Sequence, residues 1–132
     1  MKITGLNHLA IICSNYQRSK AFYTEVLPFK ILSETYREER DSYKLDLLLP
    51  GVLQIELFSF PNPPARVTNP EAMGLRHLAF SVDEMDREVA KLKAKGIAVE
   101  PIRVDPITGG RYTFFPDPDG LPIELCEPAK SN

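Results

Sequence analysis

The sequence contains an internal repeat, and this repeat limits the folds that the chain can adopt. The motif Gly-Leu-x-His-Leu-Ala occurs at residues 5–10 and again at 74–79, while Ile-Glu-Leu occurs at 55–57 and again at 123–125. Two matches at nearly the same offset indicate an internal duplication, in which each half repeats one structural unit. Each copy carries one histidine and one glutamate, so the repeated polar residues are His8, Glu56, His77 and Glu124.

Length, charge and cysteine content exclude several classes of protein. A chain of 132 residues can bury one domain-sized core, but each half alone would be marginal. The net charge of −2 provides no basic surface for nucleic acid. No apolar run approaches the roughly 20 residues that cross a bilayer. Cys13 and Cys126 make no disulfide framework and the N-terminus does not resemble a signal peptide, so we expect a reduced, cytoplasmic protein.

Hydrophobic periodicity predicts the element order β-α-β-β-β in the first half. Ser14–Gln17 has the form of a capping box, and Pro28 would end the helix that follows it. The strands around this helix are expected at 3–13, 29–36, 43–49 and 52–60.

The second half repeats this order after a segment that contains four prolines. Asp83 is a plausible N-cap for a helix that ends near Gly96. The surrounding strands are expected at 75–82, 97–104, 111–116 and 121–127. We therefore expect one domain over 1–132, built from module 1 at 1–60, a Pro-rich linker at 61–73 and module 2 at 74–128.

The alternation of side chains places the four repeated polar residues on one face of the predicted sheet. In each strand the histidine or glutamate lies opposite the main aliphatic row. If the aliphatic rows pack beneath the helices, the polar residues share the other face. The predicted fold class is α+β, with two tandem βαβββ modules whose curved mixed sheet forms a metal-binding cleft.

Two imidazoles and two carboxylates suit a divalent metal ion of borderline hardness, such as Zn²⁺, Ni²⁺, Co²⁺, Mn²⁺ or Fe²⁺. Four such ligands leave two positions of an octahedron free for water or a bidentate substrate. In the alternative interpretation, the histidines are bonded to neighbouring strands and the glutamates lie on a solvated sheet face. Repetition of both residue types in step with the fold favours the metal site.

Other motifs contribute less. The sequence has no P-loop and no G-x-G-x-x-G or G-x-S-x-G motif. Arg37 and Arg111 lie near predicted strand edges or loops, where either guanidinium could contact an anionic group of a substrate. Phe58 could line a pocket, although packing on the sheet explains it equally well.

The whole chain resembles the vicinal oxygen chelate superfamily, which includes glyoxalase I, the bleomycin-resistance proteins and the extradiol dioxygenases. The resemblance is carried by the paired βαβββ modules, the two Gly-Leu-x-His-Leu-Ala motifs, Phe22-Tyr23, and Asp-Pro-Asp-Gly-x-x-Ile-Glu-Leu at 117–125. Residues 36–38, 55–61 and 74–80 are similar to the small bacterial glyoxalase-like proteins of the YaeR type.

This resemblance implies the glyoxalase/bleomycin-resistance fold and a glyoxalase I-like lyase or isomerase that acts on a small vicinal-oxygen substrate, such as an α-oxoaldehyde–thiol adduct. It implies one divalent metal per site, Ni²⁺ or Zn²⁺ first and Co²⁺, Mn²⁺ or Fe²⁺ as alternatives, held by His8, Glu56, His77 and Glu124. Glu124 and Glu56 would be the catalytic carboxylates, with Glu124 moving a proton while the metal steadies an enediolate.

The resemblance also implies a homodimer, with the site formed within one chain or across two. Ile12 and Phe60 occupy the places where bacterial glyoxalase I usually has an arginine and an asparagine for glutathione. The implied activity therefore does not extend to specificity for glutathione. Two alternatives stay open: a metal-free protein that sequesters a small molecule, as bleomycin-resistance proteins do, and an epimerase-like enzyme of the same superfamily.

Overall fold

Each half of the repeat contains one four-stranded sheet in the computed structural model, which describes residues 1–131. The chain divides into one unit over Met1–Ala65 and a second unit that begins at Arg66. This boundary lies inside the Pro-rich segment 61–73. Within residues 1–131, no helix combines the length and the apolar composition that crossing a bilayer requires.

The first unit has the predicted order β-α-β-β-β. Its sheet has the strand order β1-β4-β3-β2, in which β1 runs parallel to β4 and the other pairs are antiparallel. Helix α1 passes into a π-helical turn, and a short 3₁₀ turn joins β2 to β3. The bounds are β1 Leu9–Cys13, α1 Tyr16–Ala21, the π-helical turn Phe22–Val26, β2 Lys30–Arg37, the 3₁₀ turn Glu38–Arg40, β3 Ser42–Leu49 and β4 Leu53–Ser59.

The second unit repeats the order and the topology, which confirms the predicted pair of βαβββ modules. Its sheet has the order β5-β8-β7-β6, again with one parallel pair, β5 and β8. The bounds are β5 Leu78–Ser81, α2 Met85–Ala94, β6 Arg103–Val104, β7 Arg111–Pro116 and β8 Pro122–Glu127.

One face of each sheet forms the hydrophobic core of its unit. In the first unit this face carries Leu45, Leu47, Ile55 and Leu57, all fully buried, and Phe22 and Tyr23 of the helical segment are buried as well. In the second unit, Ile123 and Leu125 are buried with the inward residues of α2, which are Met85, Val89 and Leu92. The alternation of β-strands then leaves Glu56 and Glu124 on the opposite face, and contacts with these glutamates bring His8 and His77, one residue before β1 and β5, to the same side.

Three predicted strands are shorter than expected by more than two residues. Strand β1 covers only the last five residues of the predicted 3–13, β5 begins at Leu78, and β6 is two residues long. The ladder of β1 begins where Leu9 lies beside Ile55 of β4. Because a strand exists only while a neighbour supplies hydrogen bonds, these ends are set by pairing and not by the local hydrophobic pattern.

The helix caps also differ from the prediction. Asn15, rather than Ser14, is the N-cap of α1, and its side chain accepts a hydrogen bond from the Arg18 N–H at 3.1 Å. Asp83 is not the N-cap of α2. The side chain of Glu127 on β8 instead accepts from the Met85 N–H at 2.6 Å. The predicted C-terminal glycine is confirmed, since Gly96 follows α2 with a φ of 78°.

Candidate metal centre

The first unit brings His8 and Glu56 together on the helix-free face of its sheet. The ladder sets Ala10 of β1 beside Glu56 of β4, and His8 comes two residues before Ala10 on the same side of the chain. Nε2 of His8 lies 3.0 Å from Oε2 of Glu56. The Glu56 side chain is largely buried, at 14% exposed, whereas the His8 side chain is 37% exposed.

The second unit contains the same arrangement with His77 and Glu124. Ala79 of β5 lies beside Glu124 of β8, and Nε2 of His77 is 2.9 Å from Oε2 of Glu124. The side chains of this pair are 26% and 16% exposed. Among the described residues, neither unit contains a group of three or more His, Cys, Asp or Glu side chains that could hold a metal ion. Each unit thus holds one imidazole–carboxylate pair, and each pair is called a half-site because it would supply half of the predicted ligand set.

The neighbours of the first half-site are charged. Strand β3 places Asp46 beside Glu56 and Lys44 beside Phe58 in the ladder. Nζ of Lys44 lies 3.5 Å from Oε1 of Glu56 and 3.4 Å from Oδ1 of Asp46. Ser33 Oγ donates to the other oxygen of Asp46 at 2.7 Å. The carboxylate of Glu56 is therefore held by an imidazole on one side and an ammonium group on the other.

The neighbours of the second half-site are aromatic and thiol groups. Phe114 of β7 lies beside Glu124, and its ring packs edge-on against the His77 ring, with the centroids 5.2 Å apart. Cys126 follows Glu124 on the same face. Burial, followed by the charge and the hydrogen bond of Glu124, raises the pKa of the Cys126 thiol above its ordinary value. The thiol therefore stays protonated and is a weak donor toward the carboxylate.

Arg37 and Phe58, both predicted to contact substrate, are in contact with each other on the helix-free face of the first unit. The Arg37 guanidinium carbon lies 4.9 Å from the centre of the Phe58 ring, and its NH2 group donates to Ser42 Oγ at 3.0 Å. Nε of Arg37 is buried and has no hydrogen-bond partner among residues 1–131. Buried donors are normally satisfied by protein, water or a ligand, so this N–H is available to an acceptor that enters the site.

Arg111, the third predicted contact, is part of an ion-pair network in the second unit. Its guanidinium donates to Glu127 at 2.9 Å and to Asp86 at 2.8 Å. Glu127 also caps α2 through Met85. These contacts connect β7, β8 and the first turn of α2. The geometry gives Arg111 a structural role, and contact with a substrate stays a prediction.

Sequence reasoning did not single out Lys44, Asp46 and Phe114, although all three lie beside the repeated glutamates. These residues differ between the two halves, so the repeat does not mark them. The alternation of Lys44 and Asp46 with Leu45 and Leu47 in the sequence could have identified two of them as neighbours of the site. It assigns the two charged residues to the polar face, but only the strand register shows that they face Glu56.

Comparison with known proteins agrees with this architecture. The family model described as the Glyoxalase/Bleomycin resistance protein/Dioxygenase superfamily matches residues 5–125. The chain is 61% identical to YwkD of Bacillus subtilis (strain 168), over 96% of this chain and 99% of that protein. It is 59% identical to YaeR of Escherichia coli (strain K12), over 92% and 95%. The crystal structure of a glyoxalase family protein from Enterococcus faecalis superposes with a TM-score of 0.89 at 50% identity, over 96% and 100%.

More distant relatives are named as enzymes of several kinds. They include a lactoylglutathione lyase of Salmonella typhimurium, which is 33% identical over 92% of this chain and 91% of that protein. A 2-epi-5-epi-valiolone epimerase of Actinomyces sp is 28% identical over 92% and 78%, and the metallothiol transferase FosB of Staphylococcus epidermidis is 30% identical over 95% and 82%. With the repeated βαβββ units and the paired half-sites, these matches show that the chain belongs to the glyoxalase/bleomycin resistance/dioxygenase (vicinal oxygen chelate) superfamily.

Proposed function

We propose that this chain is a divalent-metal-dependent, glyoxalase-like lyase or isomerase that acts on a small substrate with two vicinal oxygens. The observation that carries this proposal is the duplicated His–Glu pair, at 3.0 Å in one unit and 2.9 Å in the other. The ligand set would be His8, Glu56, His77 and Glu124. The two half-sites would come from one chain or from the two chains of a homodimer, and both arrangements give the same four ligands.

The chemistry of each half-site fits a divalent metal. Donor atoms at right angles around an ion with bond lengths of about 2.1 Å are separated by about 3.0 Å, so the two Nε2–Oε2 distances, which are those of direct hydrogen bonds, are also compatible with two ligands of one ion. Nδ1 of His8 lies 2.7 Å from Oδ1 of Asn7. With Nδ1 donating to this oxygen, Nε2 is the nitrogen that would bind the ion, and an ion would replace the hydrogen that Nε2 shares with Glu56. Nickel and zinc are the first candidates for such a nitrogen and oxygen set.

In this proposal the protein holds the substrate and moves a proton between two adjacent carbons. A bound metal would supply a Lewis acid for the negative charge that develops on the vicinal oxygens. Glu124 takes the proton from one carbon and returns it to the neighbouring carbon, so the substrate is isomerised without an oxidant or a reductant.

The surroundings favour Glu124 over Glu56 as the group that moves the proton. Glu56 lies 3.5 Å from the positively charged ammonium group of Lys44, whereas Glu124 is approached by the neutral thiol of Cys126. Because a thiol is a weak hydrogen-bond donor, the Glu124 carboxylate can move away from Cys126 more easily and reach a carbon atom of the substrate. We propose that Glu56 is the fixed ligand and that Arg37, stacked on Phe58, contacts an oxygen of the substrate.

The proposal is tested by combining metal analysis with a Glu124→Gln variant. Protein purified without added metal is analysed for its metal content. It is then assayed with adducts of α-oxoaldehydes and a panel of thiols, glutathione included. We expect Glu124→Gln to keep its metal, because the amide oxygen remains a ligand, and to lose turnover by a factor of about 100 or more.

The matched control is Glu88→Gln, which changes an exposed glutamate of α2 that pairs with Lys91. This variant should keep both metal and turnover. Unchanged turnover in metal-loaded Glu124→Gln would remove Glu124 as the base. A protein that is purified without metal, gains no activity with any divalent ion and still binds a small molecule would support sequestration instead.

A further inference from the structure

The second unit contains a cavity that opens beside one of the proposed ligands and that the proposed reaction does not use. Its volume is about 290 Å³, and its walls include His77, Phe114 and three arginines, Arg66, Arg76 and Arg103. Two glutamates, Glu71 and Glu100, also line it. The lining therefore has one more guanidinium group than carboxylates, next to the proposed metal site.

Two of the three arginines are committed to the protein. Arg66 donates to the backbone carbonyls of Leu75 and Arg76, at 2.6 and 2.8 Å, and so closes the loop that forms one wall. Arg76 places both Nε and NH2 on a single oxygen of Glu71, at 2.9 and 2.6 Å, so a ligand would have to replace two hydrogen bonds, although this pair is also exposed. Neither guanidinium is the best candidate to bind a ligand.

Arg103 differs because its guanidinium packs on two aromatic rings and forms an ion pair only with the exposed Glu100, among the residues that the structure describes. Its guanidinium carbon is 5.1 Å from the centre of the Tyr112 ring and 5.8 Å from that of Phe114. Phe114 is also the ring that contacts His77. The only hydrogen bond recorded for the Arg103 side chain within residues 1–131 runs to Glu100, at 2.8 Å, and both side chains are more than half exposed. An exposed pair of this kind stabilises the fold little, so a ligand can replace Glu100 at small cost.

We propose that this cavity is a subsite for an oxyanion, carried by the substrate at the end remote from its vicinal oxygens and bound by Arg103. This proposal rests on the proposed function, since it assumes that the vicinal oxygens are held near His77. It narrows the substrate class to molecules that combine a chelating oxygen pair with a carboxylate or a tetrahedral oxyanion. Planar guanidinium groups suit both anions because they donate two parallel hydrogen bonds.

The test uses probes that chelate in the same way and differ only in the remote group. Catechol, 3,4-dihydroxybenzoate and 4-sulfocatechol are titrated calorimetrically into zinc-loaded protein, because Zn²⁺ does not oxidise catechols. We expect the better of the two anionic probes to bind about tenfold more tightly than catechol. Comparison of the carboxylate with the sulfonate then shows which anion geometry the subsite prefers.

The decisive variant is Arg103→Gln, and its matched control is Arg87→Gln. Both arginines are exposed and pair with a glutamate three residues before them, but Arg87 lies on α2, away from the cavity. The carboxylate or sulfonate of a probe also changes the acidity of its catechol hydroxyls. This change is the same in wild type and in every variant, so it cancels when the variants are compared. Arg103→Gln should therefore reduce the advantage of the anionic probes and leave catechol binding unchanged, while Arg87→Gln keeps the wild-type ratio. Arg103→Lys should retain part of the advantage.

A second measurement does not depend on the metal. In metal-free protein, the Nε–H resonance of Arg103 should shift on addition of 3,4-dihydroxybenzoate, while that of Arg87 stays in place. If zinc-loaded protein binds no catechol but the Arg103 resonance shifts, the metal proposal fails and the subsite stands. The subsite proposal is overturned if the ratio between the affinities for the anionic probes and for catechol is the same in wild type and Arg103→Gln. It is also overturned if the Arg103 resonance does not shift.

Discussion

The two repeated histidines are held in different ways. The Nδ1 atom of His8 donates to the side chain of the preceding residue, Asn7, at 2.7 Å. The residue before His77 is Arg76, whose side chain turns to Glu71 instead. The ring of His77 packs edge-on against Phe114. A hydrogen bond at one ring nitrogen selects the tautomer that leaves the other nitrogen free to bind a metal. In the proposed metal site, the contact with Asn7 would therefore orient His8, whereas packing against Phe114 would orient His77.

This difference predicts the effect of removing Asn7. We expect Asn7→Ala to weaken zinc binding about tenfold, because His8 loses the group that fixes its tautomer and ring orientation. Competition with a chelator of known affinity measures the change. The control is Gln17→Ala, which removes an exposed amide on α1. Equal zinc affinity in wild type and Asn7→Ala would show that the contact with Asn7 does not matter once the ion is bound.

At this scale the repeat predicted the pairs His8–Glu56 and His77–Glu124, which the structure brings together within their units. The repeat does not mark the residues that surround these pairs, because they differ between the two halves. Lys44 reaches Glu56 only through the register of β3 against β4. Register depends on how two distant segments pair, so a pattern within one segment cannot specify it.

Among the elements, α2 depends on a carboxylate from a strand. Glu127 of β8 is buried, accepts from the first N–H of α2 and pairs with Arg111 of β7. The hydrogen bond from Arg111, followed by that from the Met85 N–H, holds the pKa of Glu127 below its ordinary value of 4.5. Protonation of Glu127 would weaken both contacts at once, and α2 would lose its N-terminal cap.

The lowered pKa gives the network a defined pH dependence. Unfolded Glu127 takes up a proton more readily than the folded form does. Its contribution to stability is therefore complete above about pH 4.5 and is lost as the pH falls through the lowered pKa. We expect Glu127→Gln to be less stable than wild type near neutral pH and to lose less stability on acidification. Denaturant unfolding between about pH 7 and about pH 3 measures both effects.

Glu88→Gln again serves as the control, and it should follow the wild-type pH profile because Glu88 is paired only at the exposed surface of α2. Parallel pH profiles for wild type and Glu127→Gln would contradict the assigned role.

The elements that local signals define were predicted more accurately than those that depend on pairing. The end of α2 at Gly96 and the strand at 111–116 agree with the structure because a glycine C-cap and a Pro-Asp-Pro-Asp-Gly turn are local features. The start of β1 and the extent of β6 were wrong, since both depend on how far the neighbouring strand runs. The cap of α2 was missed for a related reason, because Glu127 is 42 residues away from Met85.

At the scale of the whole molecule, each unit supplies half of the proposed ligand set. Two protein ligands alone make a weak site for a divalent ion, whereas four make a tight one. We therefore expect one metal ion per chain, and we expect His8→Ala and His77→Ala each to remove most of it, although they alter different units. Elemental analysis of the purified variants measures the content. Two ions per chain, or loss of only half the metal in each variant, would mean that the half-sites act separately.

The two halves have the same proposed ligands but different neighbours: Lys44 and Asp46 lie beside one glutamate, and Phe114 and Cys126 lie beside the other. Matching flanks would treat the two ends of a small dicarbonyl adduct as equivalent. If both half-sites hold one ion, unlike flanks would remove that equivalence, and the adduct would dock with the same end toward Glu124 each time. The divergence of the two copies would then decide which carboxylate moves the proton, whereas the handedness of the product would come from the chirality of the site as a whole.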